Sequence, residues 1–143
     1  MSKGNVFEND LLSLIFNGDA IANIADDAGT SPLTDLYVSL HTADPGEAGN
    51  QTTSEVAYTN YARVAVSRDN TGWTVSGNSV SPAANIDFAQ GESGDTGTIT
   101  HFAVGTDASG TGKVLYSGTM TPNVEMADGV IPRISTDTTI TED

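Results

Sequence analysis

The sequence predicts a mainly β protein: an antiparallel β-sandwich or jelly-roll-like barrel of about seven or eight strands, preceded by a short N-terminal α-helix. Three observations carry this. Apolar and polar residues alternate with a period of two in several short segments, most cleanly Leu36, Val38 and Leu40 against Tyr37, Ser39 and His41. The gaps hold turn formers: DNTG at 69–72, GESGDTG at 91–97, TDASGTG at 106–112 and MADG at 126–129. The chain of 143 residues is long enough for one core without disulfides, and it has no cysteine.

Taken in order, NVFENDLLSLIFNG places Val6, Phe7, Leu11, Leu14 and Ile15 at helical spacing, which predicts a helix over about residues 5–17. Asn5 and Glu8 resemble a capping box, and Gly18 supplies a stop. A helix this short is marginal alone, so it must dock, and its own sheet is the expected surface. Residues 18–34 mix small, acidic and turn residues and read as a loop ending near Pro32. Strands are expected at 36–41, 61–67, 72–75, 86–88, 98–104, 113–120, 130–133 and 138–141. This divides the chain into an N-terminal helix and arm, 1–30, and a β-sandwich domain, 31–143. No internal repeat, heptad or fibrous low-complexity segment is present.

Charge excludes several function classes. Nineteen Asp and Glu against five Lys and Arg give a formal net charge of −14. A nucleic-acid binder needs a basic surface that displaces counterions from phosphates, and Lys3, Arg63, Arg68, Lys113 and Arg133 are scattered. Nucleic acid and anionic membranes are therefore unexpected partners. No apolar run reaches the length of a membrane span, and the N-terminus lacks the pattern of a cleaved leader, so a soluble, unprocessed chain is expected.

Candidate chemistry is sparse. His41 and His101 are the only histidines, and no HxH, HExxH or His–carboxylate spacing supports a metal site. Ser39 and His41 share one face of a strand, but a nucleophile also needs a base held within reach by a third group, and no GxSxG elbow occurs. GTDASGTGKV, 105–114, imitates a phosphate loop. However, Asp107 stands where the first glycine belongs, Val114 follows Lys113, and a strand comes next, so a hairpin turn is expected. Asp26, Asp27 and Asp35, or Asp44 and Glu47, could offer oxygens to calcium, but without EF-hand or nonapeptide spacing they read as solvated loop carboxylates. Asp44 reads as the first residue of a Pro-Gly turn, bonding to backbone two residues on. No catalytic residue, metal or cofactor is expected, and the chain does not read as an enzyme.

LYVSLHTADPGEAGN (36–50), EVAYTNYARVAVS (55–67) and ITHFAVGTDASGTGKVLYSGTM (99–120), with the apolar N-terminal helix, resemble a family of small tailed-bacteriophage virion proteins. Members show LYVALFTADPG, GYAR.AV and THF.I.D...GG.LLY.G in this order, and the likeness spans about residues 7–120. The chain departs from the pattern where a Trp usually precedes GT(V/I)THF, since Asp95 and Thr96 stand there. The resemblance implies a virion structural protein, made in the host cytoplasm and often labelled tail fibre or head decoration.

Within a virion, net charge −14 disfavours contact with packaged DNA, and compactness without repeats disfavours a long fibre. The reading from sequence is a capsid decoration, or cement, protein on the outer capsid surface. There it would bridge subunits of the major capsid protein, as a homo-oligomeric dimer or trimer on the lattice. Phe7, Leu11, Leu12, Ile15 and Tyr58, from the arm and the loop at 44–58, are the expected subunit or capsid contacts. The alternative is a tail or tail-fibre component binding a host surface, for which Tyr58, Tyr61 and Trp73 are the aromatic candidates.

Overall fold

The computed structural model describes residues 5–21 and 32–142; the side chains of Asn5 and Phe7 lie outside that description. The fold is mainly β, with nine strands among the described residues: β1 Asp35–His41, β2 Val64–Ser67, β3 Trp73–Ser76, β4 Ser79–Pro82, β5 Ile86–Asp87, β6 Thr98–Gly105, β7 Val114–Glu125, β8 Arg133–Ile134 and β9 Ile140–Thr141. They form sheets of order β2-β1-β6-β7, β3-β4-β9 and β5-β8. The β1–β6, β6–β7, β3–β4 and β4–β9 ladders are antiparallel. No described sheet closes on itself, so the architecture falls on the sandwich side of the expectation and not the barrel side.

The chain forms two compact units. One comprises the described residues within 1–35, 66–85 and 134–143, and the other residues 36–65 and 86–133. In the first, α1 (Asn5–Leu12) continues into a π-helical turn, Ser13–Asn17. Gly18, left-handed at φ 73°, ends it by donating its N–H to the Ser13 carbonyl. The helix docks on its own β3 and β4, with Phe16 edge-on to Trp73 at a ring separation of 4.7 Å.

The buried seam is Glu8, Leu12 and Phe16, whereas Val6 is 77% exposed and Leu11, Leu14 and Ile15 are half-buried. The buried positions recur every four residues, a stripe displaced from the one expected from sequence, and the displacement is already present at Glu8 and Leu12 in the α-helical part. Arg68 fixes the helix end. Its Nε donates to the Ile15 carbonyl at 2.6 Å, its Nη2 to the Leu14 carbonyl, and its Nη1 to the Leu33 carbonyl at 3.3 Å. Carbonyls in a last helical turn lack partners within the helix, and a cation there also meets the negative end of the helix dipole.

In the second unit, the β1–β6 register runs from Tyr37 opposite Gly105 to His41 opposite His101. Leu36, Val38, Leu40, Phe102 and Val104 share one face and are buried. The opposite face is closed as well, with Ser39 and His41 both 0% exposed. The connection after β1 accounts for this: it returns along the strand through Thr42 N–H to the Ser54 carbonyl and Val56 N–H to the Leu40 carbonyl.

Replacing Arg68 with Ala removes charge-assisted bonds from the helix end. The expected loss is about 1.5–3 kcal/mol in urea unfolding, with amide exchange speeding up first at residues 13–18. Unchanged exchange there would show that the helix end is held by something else.

Candidate functional site

The polar groups in the second unit are concentrated around the 42–63 connection. His41 Nδ1 lies 2.9 Å from the Thr53 carbonyl, which can only accept, so Nδ1 carries the proton in the neutral ring. Its Nε2 then accepts from the Ser39 hydroxyl at 2.9 Å. The pair therefore makes the hydrogen bond that same-strand spacing alone did not supply, because a loop carbonyl fixes the tautomer. Burial, the dominant cause, holds the imidazole below its ordinary 6.5, opposed by the Thr53 bond and by Glu55 and reinforced by Arg63 and His101. Neither Ser39 nor His41 has any exposed surface, so this arrangement has no route to a substrate.

Next to it lies a buried ion pair. Arg63 binds Glu55 through two bonds, Nε to Oε1 at 2.7 Å and Nη2 to Oε2 at 2.8 Å, with side-chain exposures of 2% and 16%. The guanidinium also donates to the carbonyls of Asp107 at 2.9 Å and Gly110 at 2.8 Å. Tyr61 donates its hydroxyl to Glu55 at 2.9 Å and accepts from Leu40 N–H at 3.0 Å, and burial drives its phenol well above the usual range.

Gln51, 0% exposed, completes the set. Its backbone N–H donates to the Gly112 carbonyl at 2.8 Å, its Nε2 to the Tyr37 carbonyl at 3.2 Å, and its Oε1 accepts Asp107 N–H at 3.0 Å. Gly105 and Gly112 leave it room, since a Cβ at either would lie 2.2 Å or 2.1 Å from the amide. The 106–113 segment is thus the hairpin turn expected from sequence, held at Asp107, Gly110 and Gly112 while residues 107–111 face solvent.

Asp44 accepts Gly46 N–H at 2.9 Å, as its place in the Pro-Gly turn predicted. Among the described residues no group of three or more His, Asp or Glu could hold a metal, and Asp26 and Asp27 lie outside them. Among the described residues no helix is long and apolar enough to cross a membrane.

The residues expected to make subunit contacts are dispersed. Leu12 and Tyr58 are buried, at 0% and 7% exposed. The Tyr58 hydroxyl, held by the Ala89 carbonyl at 3.0 Å, is pushed up to about 12, by burial first and Asp95 second. Leu11 and Ile15 are half-buried, and the Phe7 side chain lies outside the described residues. The three aromatics do not form an open platform either: Trp73 is 1% exposed and lies in the first unit, while Tyr61 packs between Tyr58 and Phe88 in the second. Among the described residues the large exposed apolar side chains are Val6, Leu33 and Ile131. Sequence reasoning passed over Gln51, Glu55 and Arg63, for which the one signal was the YAR triplet in the resemblance.

In the second unit the buried polar side chains Ser39, His41, Gln51 and Arg63 bond to strand and loop groups of the same unit. Residues 2–141 match the family described as Podophage GP4 fiber I protein gp80, and over that extent the chain belongs to it. It is a phage virion protein, as the motif resemblance implied. No curated protein matches the chain.

Truncating Arg63 to Ala strands Glu55 without its cation, with an expected cost of about 3–5 kcal/mol. The double variant Arg63→Met, Glu55→Leu should recover much of that stability while leaving the 107–111 amides fast to exchange. Slow exchange there in the double variant would show that the pair does not hold the hairpin.

His41 sets a pH dependence. The unfolded chain takes up the imidazole proton at higher pH than the folded chain, so stability rises with pH below the ordinary value and is lost as pH falls from about 6.5. Melting temperature should decline between about pH 7 and 5, and His41→Gln should flatten that slope. Equal slopes in the two proteins would remove His41 as the cause.

Proposed function

We propose that the protein is a non-enzymatic structural component of the phage tail-fibre assembly, acting as a rigid β module that docks on other virion proteins. The observation that carries this reading is the family match across residues 2–141, whose description names a fibre protein. The fold supports it: polar groups that could do chemistry are buried, and the exposed 107–111 turn is anchored from beneath by Arg63 and Gln51. A loop held on a rigid scaffold presents a fixed surface to a partner at little ordering cost.

The second reading is capsid decoration, favoured by the net charge of −14 on a chain without fibrous repeats. Its partner would be the major capsid protein on the outer capsid surface, engaged by dimers or trimers of this chain.

Quantitative mass spectrometry of purified virions separates the two, with immunogold labelling to locate the protein. A handful of copies per particle with label at the tail is the expected outcome. A copy number comparable to that of the major capsid subunit, with label over the head, would replace the fibre reading by decoration. Absence from washed virions would overturn both.

A further inference from the structure

The chain contains one Asn-Gly pair, Asn17–Gly18, and the fold places it at the end of the N-terminal helix. In such a pair the asparagine side chain is open to attack by the next backbone nitrogen, because glycine has no Cβ to block the approach. Ring closure joins the Gly18 nitrogen to the Asn17 Cγ and expels the side-chain nitrogen as ammonia, which carries off the amide proton. Water then opens the succinimide at either carbonyl, giving aspartate or isoaspartate at position 17. No other reactant is needed.

Two features of this helix end oppose the reaction. The Gly18 N–H is donated to the Ser13 carbonyl, which also accepts Asp19 N–H at 3.1 Å, so the nitrogen that must lose its proton is held in a hydrogen bond. The Asn17 Oδ1 is buried without a hydrogen-bond donor, so the negative charge that ring closure builds on it meets no stabilising group. Both depend on a turn that Arg68 holds through the carbonyls of Leu14 and Ile15. Opening the turn frees the N–H and gives Oδ1 access to water.

We propose that Asn17–Gly18 is a modification site gated by this helix end: rearrangement waits on opening of residues 13–18, and the turn does not reform afterwards. Isoaspartate puts an extra carbon into the backbone, which carries Gly18 out of register with the Ser13 carbonyl. Either product adds a negative charge at the negative end of the helix dipole. Arg68 lies close by, since a Cβ on Gly18 would be 4.0 Å from its Nη1, and a new carboxylate there draws the guanidinium off the Leu14 and Ile15 carbonyls. The edge-on contact of Phe16 with Trp73 is lost with the turn. The result is a one-way release of the N-terminal helix from β3 and β4, a property separate from the docking role proposed above.

The test incubates the full-length chain at mildly alkaline pH and follows position 17 by peptide mass spectrometry and an isoaspartate assay. The native wild type should react about tenfold or more slowly than the urea-unfolded chain, and Arg68→Ala should recover most of that difference with its circular dichroism still native. Asn17→Gln, one carbon too long for a five-membered ring, should not react. Separated product should show red-shifted emission from Trp73, the single tryptophan, with the amides of β6 unmoved. Wild type in urea below its unfolding midpoint gives the same comparison without a substitution, and its rate should rise ahead of global unfolding. Equal rates in native and unfolded chains, or a rate that rises only with global unfolding, would overturn the gate. Product whose Trp73 emission is unchanged would overturn the release.

Discussion

Arg63 directs four hydrogen bonds at two stretches of chain far apart in sequence: two to the Glu55 carboxylate and one each to the carbonyls of Asp107 and Gly110. Burying a guanidinium costs several kcal/mol in desolvation, and a carboxylate in ideal geometry roughly balances that cost without much surplus. An apolar pair of similar volume could stabilise the unit as well, but it could not choose where two backbone carbonyls sit. The ion pair therefore acts on position more than on stability. Gln51 does the same from the other side of the turn by holding Asp107 N–H and the Gly112 carbonyl, and the closeness of Gly105 and Gly112 lets its amide fit. The connection after β1 and the β6–β7 hairpin thereby fix one another, and β1 is enclosed on both faces as a consequence.

That use of cations shapes the surface. Of the five, Arg63 is committed to Glu55, Arg133 to Asp87 and Arg68 to helix-end carbonyls. What remains exposed is dominated by carboxylates, some of them bonded to the chain's own turns: Asp69 accepts the Thr71 hydroxyl and N–H, and Asp95 accepts Glu92 N–H and Thr59 N–H, which hold each acid below its ordinary range. Such a surface keeps copies apart and restricts association to neutral or cationic partners, with salt weakening the cationic ones. A virion component that must not aggregate before assembly gains from the same property that narrows its choice of partner.

How much was legible in the sequence follows from where each signal lies. β1 and β6 were readable because their apolar residues alternate over a long enough run to fix a period. β4 was missed, since Ser-Val-Ser-Pro offers only Val80 and Pro82 to the interior and otherwise resembles a turn. β7 continues to Glu125 where a stop near Met120 was expected, because Thr121, Pro122 and Asn123 look like a loop and occupy the irregular stretch between two ladder segments. The clamp could not be seen at all: Glu55 and Arg63 are eight positions apart with no periodic relation, and their other partners are backbone groups some 44 to 47 residues on, which carry no side-chain signature.

The Ser39–His41–Thr53 arrangement shows why geometry alone does not define chemistry. A neutral imidazole has one donor and one acceptor, and once buried it must satisfy both. The nearest solution on a strand is the hydroxyl two residues back on the same face, with a loop carbonyl closing the other side. The result matches the contacts of a nucleophile and its base, yet it arises from the cost of unpaired buried polar atoms. What separates the two cases is access and a place for charge to develop. The serine is fully enclosed, and the group behind the imidazole is a neutral carbonyl in place of a carboxylate that would stabilise an imidazolium. The constellation is better understood as the fastening of the 51–56 segment to β1, on the same footing as Gln51 and Arg63.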